Sequence, residues 1–283
     1  MGSERRKMIR KIKMIAFDCD GTLLNDKKEM TEYTRNVLMQ AIEQGIEVLA
    51  ATGRPLTGLP KEVLELSGMR YAITSNGARI VDMERETTIY EASLPVETAK
   101  QILDIFSQYD TYKEVFLDGN GYGNASELAE IEKYVTHPSI ATFIRESRIP
   151  EPDIYKKVEN DNVGIDKVQA LFKSKDEKEK ASCQIAKIPG VAATGAMENN
   201  IEVNAFGVNK GAGILKLGEI LGISREEIMA FGDGMNDLEM VREAGLGIAV
   251  ENAVQPVKDV ADYITVSNEN DGVAKAIEKF ALV

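Results

Sequence analysis

Two aspartates one residue apart, Asp18 and Asp20, stand directly behind the apolar run Met14–Phe17 in "MIAFDCDGTLL". Carboxylates this close repel unless a cation or a shared reaction holds them, so the pair points to a metal ion or to acid/base work. A polar turn also accounts for Asp-x-Asp-Gly, its carboxylates bonded to nearby amides. Three more polar stretches follow apolar runs: "TGRP" (Thr52–Pro55), "SNGA" (Ser75–Ala78) and "GDGMND" (Gly232–Asp237). Lys210, in "GVNKG", opens a helical stretch. Each has a local explanation: Thr52 as a helix cap, Asn76-Gly77 as a turn, Lys210 as a surface charge, "GDGMND" as a loop. Their joint order suits one rim, because open parallel sheets bind ligands outside the carboxyl ends of their strands.

The elements that must position these residues are legible as hydrophobic patterns. Met14–Phe17, Ile46–Ala51, Tyr71–Thr74, Ile228–Phe231 and Gly247–Val250 are continuous apolar runs suited to buried parallel strands. Thr31 can cap a helix with Val37, Leu38, Ala41 and Ile42 on one face, which Gly45 ends. Toward the end, Ile214, Leu217 and Leu221 repeat at helical spacing, Ser224 and Glu227 form a capping-box pair, and Val273, Ile277 and Phe280 mark a closing helix. Between about Met83 and Asn204 the character changes. Val96, Ala99, Leu103 and Phe106 give a helix, Val115–Leu117 a short strand, Ser174 with Glu177 a helix cap, and Val191–Thr194 and Ile201–Asn204 two more strands. The expected fold is α/β, a Rossmann-like parallel sheet core built from 1–82 and 206–283, with an inserted α+β cap domain over 83–205. "KSKDEKEK" (Lys173–Lys180) reads as a solvated helix face, and no internal repeat is present.

Composition narrows the function classes. A net charge of −12 argues against binding nucleic acid or an anionic membrane surface, which need basic patches, so an anionic substrate would need local cations. No apolar run approaches the roughly 20 residues that span a bilayer. The basic N-terminal stretch lacks a signal-peptide pattern, which makes the cytoplasm the expected location. Cys19 and Cys183 lie far apart without metal-ligand spacing, and no chemistry is assigned to them. The lone His137, before Pro138, reads as a surface residue.

Taken together, these motifs resemble those of the haloacid dehalogenase superfamily of phosphotransferases: Asp18–Thr22 as Asp-x-Asp-Gly-Thr, Thr52 at the second strand end, Lys210, and "GDGMND". With the insertion placed after the third core strand, the chain resembles the Cof-type subgroup of metabolite phosphatases with a large α/β cap. That resemblance implies a Mg²⁺-dependent phosphatase acting on small phosphorylated metabolites such as sugar phosphates. By the family pattern Asp18 is the nucleophile, forming an aspartyl-phosphate, and Asp20 the general acid and base. The implied metal ligands are Asp18, Asp20 through its carbonyl, and Asp233, with Asp237 in or just outside that set. Thr52, Gly53, Lys210 and Asn236 would bind phosphate; Arg54, Asn76, Gly77 and Tyr122 would meet substrate, Tyr122 from the glycine-rich loop Leu117–Ala125. A sugar phosphomutase and a non-enzymatic phosphometabolite-binding regulator are the alternatives. An ion-pumping ATPase is disfavoured, since that branch carries Thr in place of the second Asp. The sequence names neither the phosphoester nor the oligomeric state.

Overall fold

The computed structural model describes residues 11–160, 164–195 and 197–282; the basic stretch through Arg10 lies outside the described residues. The chain enters on strand β1 (Met14–Phe17), whose four residues are all buried, as a central parallel strand requires. Thr31 then caps helix Glu32–Glu43 by accepting a hydrogen bond from the Thr34 amide, and Gly45 turns out of it at φ 79°. Strands β2 (Glu47–Ala51), β3 (Tyr71–Thr74), β4 (Arg79–Asp82) and β5 (Thr87–Glu91) follow. Strands β6 (Thr111–Leu117), β7 (Asn120–Asn124), β8 (Arg148–Glu151), β9 (Ile165–Phe172), β10 (Val191–Thr194) and β11 (Asn200–Ala205) belong to a second sheet. The chain returns to the first through β12 (Ile228–Gly232), β13 (Leu246–Ala249) and β14 (Tyr263–Ile264).

Among the described residues the larger sheet has eight strands in the order β14-β13-β12-β1-β2-β3-β4-β5, all running one way except β4, which pairs antiparallel with β3 and β5. Strand β1 lies between β12 and β2, which puts Asp18 near the middle of the rim. Alternate residues of β1 face opposite layers. Ile15 and Phe17 pack with helices Glu32–Glu43 and Gly272–Phe280, whereas Met14 and Ala16 pack with Ile214 and Leu217 of helix Lys210–Leu221.

The second sheet has the order β10-β11-β9-β6-β7-β8 and is mostly antiparallel. Val168, Ala170, Ile201 and Val203 face helices Val96–Phe106 and Lys175–Ile185. The intervening Lys167, Gln169, Asn200, Glu202 and Asn204 take the opposite face and are nevertheless buried, because that face meets the larger sheet's rim.

Three details depart from the sequence reading. The boundary expected at residue 82 cuts off β5, which pairs with β4 and so extends the larger sheet through Glu91. Val115–Leu117 is the end of a seven-residue strand, because the buried polar residues Lys113 and Glu114 hide its continuity. Ser174 occupies the N-cap of helix Lys175–Ile185 without a side-chain cap bond. No helix among the described residues is long and apolar enough to cross a membrane.

Candidate active site

Loops after β1, β2 and β12 converge on one cleft of about 690 Å³ between the two sheets. The first carries Asp18 and Asp20; Gly21 follows at φ 81°, where an added Cβ would stand 2.6 Å from Asp233 Oδ2, so only glycine lets the two loops meet. Thr22 donates to Asp233 Oδ1 at 2.5 Å. Lys210 is fully buried at the start of its helix and donates to Asp18 Oδ1 at 2.6 Å and to Asp237 Oδ1 at 2.5 Å. Asp237 Oδ2 accepts from the amides of Asp233 and Gly234. Asp237 thus fixes both Lys210 and the β12 loop.

Carboxylate oxygens of Asp18, Asp233 and Asp237 lie within 4.8 Å of one another. Burial and then the neighbouring carboxylates push Asp233 up to about 7. Burial likewise pushes Asp18 up to about 8; Lys210 opposes the shift, and Asp237, Asp233 and Asp20 add to it. One ammonium is too little charge for three carboxylates, of which Asp18 and Asp237 are buried and Asp233 half-buried. An all-oxygen donor set short of positive charge fits a hard divalent cation such as Mg²⁺.

The metal role expected of Asp20 belongs to its carbonyl; its carboxylate is engaged elsewhere. Its carboxylate takes two hydrogen bonds from Arg54, both 2.7 Å, and an ion pair with Lys28 at 2.8 Å, outside the three-carboxylate cluster. Burial alone would raise its pKa, but these cations outweigh burial and hold it at about 2. Arg54 is braced by the Gly58 carbonyl and by the Phe143 ring, 3.9 Å from its guanidinium carbon.

The remaining expected residues divide. Thr52, Gly53, Arg54 and Asn236 line the cleft. Asn76 does not: it is buried in the left-handed region at φ 59° and donates to Glu202 at 2.6 Å and to Asn204 at 3.3 Å, tying the rim to β11. Gly77 packs on the Asn209 backbone, where a Cβ would be 2.3 Å from the carbonyl oxygen, and so seats the helix that carries Lys210. Tyr122 is the clearest departure. It lies on β7 under the Lys157 ammonium and away from the cleft, while the turn at Gly119 docks on the larger sheet's side, accepting from the Thr57 amide. A tight hairpin fastened at its tip has no freedom to enter the cleft. His137 bonds Ser139 on the surface. Cys19 is buried, its pKa raised chiefly by burial, and Cys183 is exposed; both are free thiols.

The second sheet's wall of the cleft is Lys167, Gln169, Asn200 and Glu202, with Phe143 from helix Pro138–Ser147 and Arg148 at the start of β8. Lys167 donates to the Gly53 carbonyl at 2.7 Å and to Glu202 at 2.8 Å. Sequence reading passed over these residues. The available signal was a two-residue alternation of polar and apolar positions in "DKVQALF" and "NIEVNA".

Comparison with known proteins places this arrangement. A family profile described as haloacid dehalogenase-like hydrolase matches residues 15–277. The chain is 32% identical to the 5-amino-6-(5-phospho-D-ribitylamino)uracil phosphatase YcsE of Bacillus subtilis, over 96% of each chain. It is 30% identical to the phosphatase YwpJ of the same organism, over 93% of this chain and 98% of that one. A haloacid dehalogenase-like hydrolase structure from B. subtilis superposes with a TM-score of 0.83 at 28% identity, covering 94% of this chain and 99% of that one.

Proposed function

Because the chain belongs to the haloacid dehalogenase-like hydrolase family and is a phosphatase by its relatives, we propose that it hydrolyses small phosphorylated metabolites through a phosphorylated Asp18 carboxylate. The larger sheet does the chemistry in this reading, and the inserted domain, roughly 83–205, covers and selects the substrate. The observation that carries it is the constellation around Asp18: a carboxylate at the central strand end, held by a buried lysine and faced by Asp233 and Asp237.

Asp18 attacks phosphorus in line and the alkoxide leaves, dividing a hard displacement into two easier ones. Lys210 holds Asp18 by Oδ1 and its charge stabilises the transferring oxygens, with Thr52, the Gly53 amide and Asn236 beside it. Mg²⁺ held by Asp18 and Asp233, with Asp237 beside them, would draw the protons off these carboxylates and neutralise phosphoryl charge. Asp20, ionised in the grip of Arg54, is set to take a proton from the water that splits the aspartyl-phosphate. To give a proton to the departing alkoxide beforehand it must leave Arg54. The Phe143 ring against Arg54 therefore ties the position of the second sheet's domain to the state of the acid.

The substrate class is a phosphomonoester of a small polar alcohol. YcsE carries the name of a phosphatase for an aminouracil bearing a phosphorylated polyol chain, and a cleft of about 690 Å³ accommodates a molecule of that size. We place the enzyme in the cytoplasm. Phosphate release from a panel of sugar phosphates, polyol phosphates and nucleotides, with and without Mg²⁺, tests the reading. Release from none of them would overturn it.

A further inference from the structure

The glycine-rich stretch "GNGYGN" does not reach the cleft, yet it shapes what does. An added Cβ on Gly121 would lie 2.6 Å from Cδ and 3.0 Å from Nε of Arg148, so this glycine opens the slot in which that side chain lies. Arg148 and Glu114 bury their side chains to 4% and 0% exposure, with Nε 3.1 Å from Glu114 Oε2. Phe116 and Phe143 stand 4.9 and 5.4 Å from the guanidinium carbon, and Nη1 donates to Ser147 Oγ at 2.8 Å. Nε, although close to Glu114, has no hydrogen-bond partner among the described residues, and Arg148 lines the cleft. A guanidinium this constrained is already arranged for a ligand.

Charge decides which ligand. Arg148 has its own carboxylate in Glu114, and Lys167 has Glu202. At the mouth, Lys27, Lys28 and Arg54 are matched by Asp20, Glu62 and Glu146. The wall facing the leaving group thus holds no surplus positive charge. A second anion bound at Arg148 would lie beside the buried Glu114 carboxylate, and its desolvation would go uncompensated. An uncharged hydroxyl or carbonyl oxygen takes the free N–H without adding charge, and the amide of Gln169 offers further bonds.

Resting on the phosphatase reading above, we propose that Arg148, positioned by Glu114, reads the leaving group of the phosphoester and selects an uncharged, oxygen-rich one over one bearing a carboxylate or a second phosphate.

The test is kcat/KM of the full chain with Mg²⁺ for uncharged esters (sorbitol 6-phosphate, glucose 6-phosphate), charged ones (6-phosphogluconate, fructose 1,6-bisphosphate) and para-nitrophenyl phosphate. The best uncharged ester should exceed the best charged one by roughly tenfold or more. Arg148→Met should lower the rate on the best uncharged ester roughly tenfold more than on the nitrophenyl ester. Glu114→Gln, which removes the opposing charge, should shrink the preference for uncharged over charged esters by a similar factor. Circular dichroism checks the fold; should Glu114→Gln fail to fold, the wild-type comparison and Arg148→Met still decide. Charged esters turned over as well as uncharged ones, no uncharged ester faster than the nitrophenyl one, or an equal loss on all esters in Arg148→Met would each overturn the proposal and leave the phosphatase reading standing. Failure to turn over any ester would overturn both.

Discussion

Replacing Asp18 by Asn should abolish turnover and, in the metal-free protein, raise stability. Asp18 has its pKa lifted from 3.8 to about 8, chiefly by burial. A carboxyl raised on folding contributes its full share of stability below its unfolded pKa and loses it as pH rises through the folded value. Near neutral pH the folded chain must retain a proton that the unfolded chain gives up. At roughly 1.4 kcal/mol per pH unit, the interval from 3.8 to neutrality costs about 4 kcal/mol. Asn has nearly the shape of the protonated acid and carries no such cost, while its carbonyl can still accept from Lys210. Asp237 remains the charged partner of that lysine, so a net stabilisation of about 2–4 kcal/mol is expected near neutrality, falling toward zero by about pH 4. Urea unfolding in EDTA at three pH values measures it, and phosphate release should fall more than about a hundredfold. A variant no more stable than wild type near neutrality, or one whose gain is as large at pH 4, would refute the picture of an undercompensated carboxylate cluster.

EDTA should abolish activity, Mg²⁺ should restore it, and Ca²⁺ should not, because its longer bonds and higher coordination number suit it to engaging both oxygens of Asp18; activity surviving exhaustive chelation counts against the metal assignment. Asp20→Asn should slow alkyl phosphates by roughly 10²–10⁴, and para-nitrophenyl phosphate much less, since a good leaving group needs little protonation; equal losses would remove the acid role. Tyr122→Ala should lower the unfolding midpoint and leave the ranking of substrates intact, because the ring packs away from the cleft, whereas Phe143→Ala should alter that ranking; steady-state kinetics on the ester panel distinguishes them. Gly77→Ala should destabilise the fold by several kcal/mol, read by urea unfolding, because φ is 97° and the methyl would meet the Asn209 carbonyl at 2.3 Å.

The centre of the larger sheet was legible in the sequence because β1, β2, β3 and β12 are buried on both faces and therefore appear as uninterrupted apolar runs, each ending in a polar motif. The strand β1 and its Asp18 needed no tertiary information. The second sheet was less legible because one of its faces meets the rim and carries buried polar groups: Lys113 and Glu114 broke the pattern of β6, and the polar–apolar alternation around Lys167 and Glu202 does not tell that the two pair. Asp20 shows the limit most clearly. Its place beside Asp18 was visible, but its engagement by Arg54, 34 residues away, depends on how the β2 loop folds back. The glycines of "GNGYGN" suggested a loop that brings Tyr122 to the substrate. They instead leave room for Arg148 and for the Tyr112 hydroxyl, which a Cβ on Gly123 would meet at 2.4 Å.

The central claim is that Asp18 carries the phosphoryl group. Rapid acid quenching of the Mg²⁺-loaded enzyme during turnover, followed by peptide mass spectrometry, should find one phosphoryl group on the peptide spanning 14–24, located on Asp18 and absent from Asp18→Asn. A phosphoryl group on any other residue, or turnover that persists in Asp18→Asn, would contradict the account.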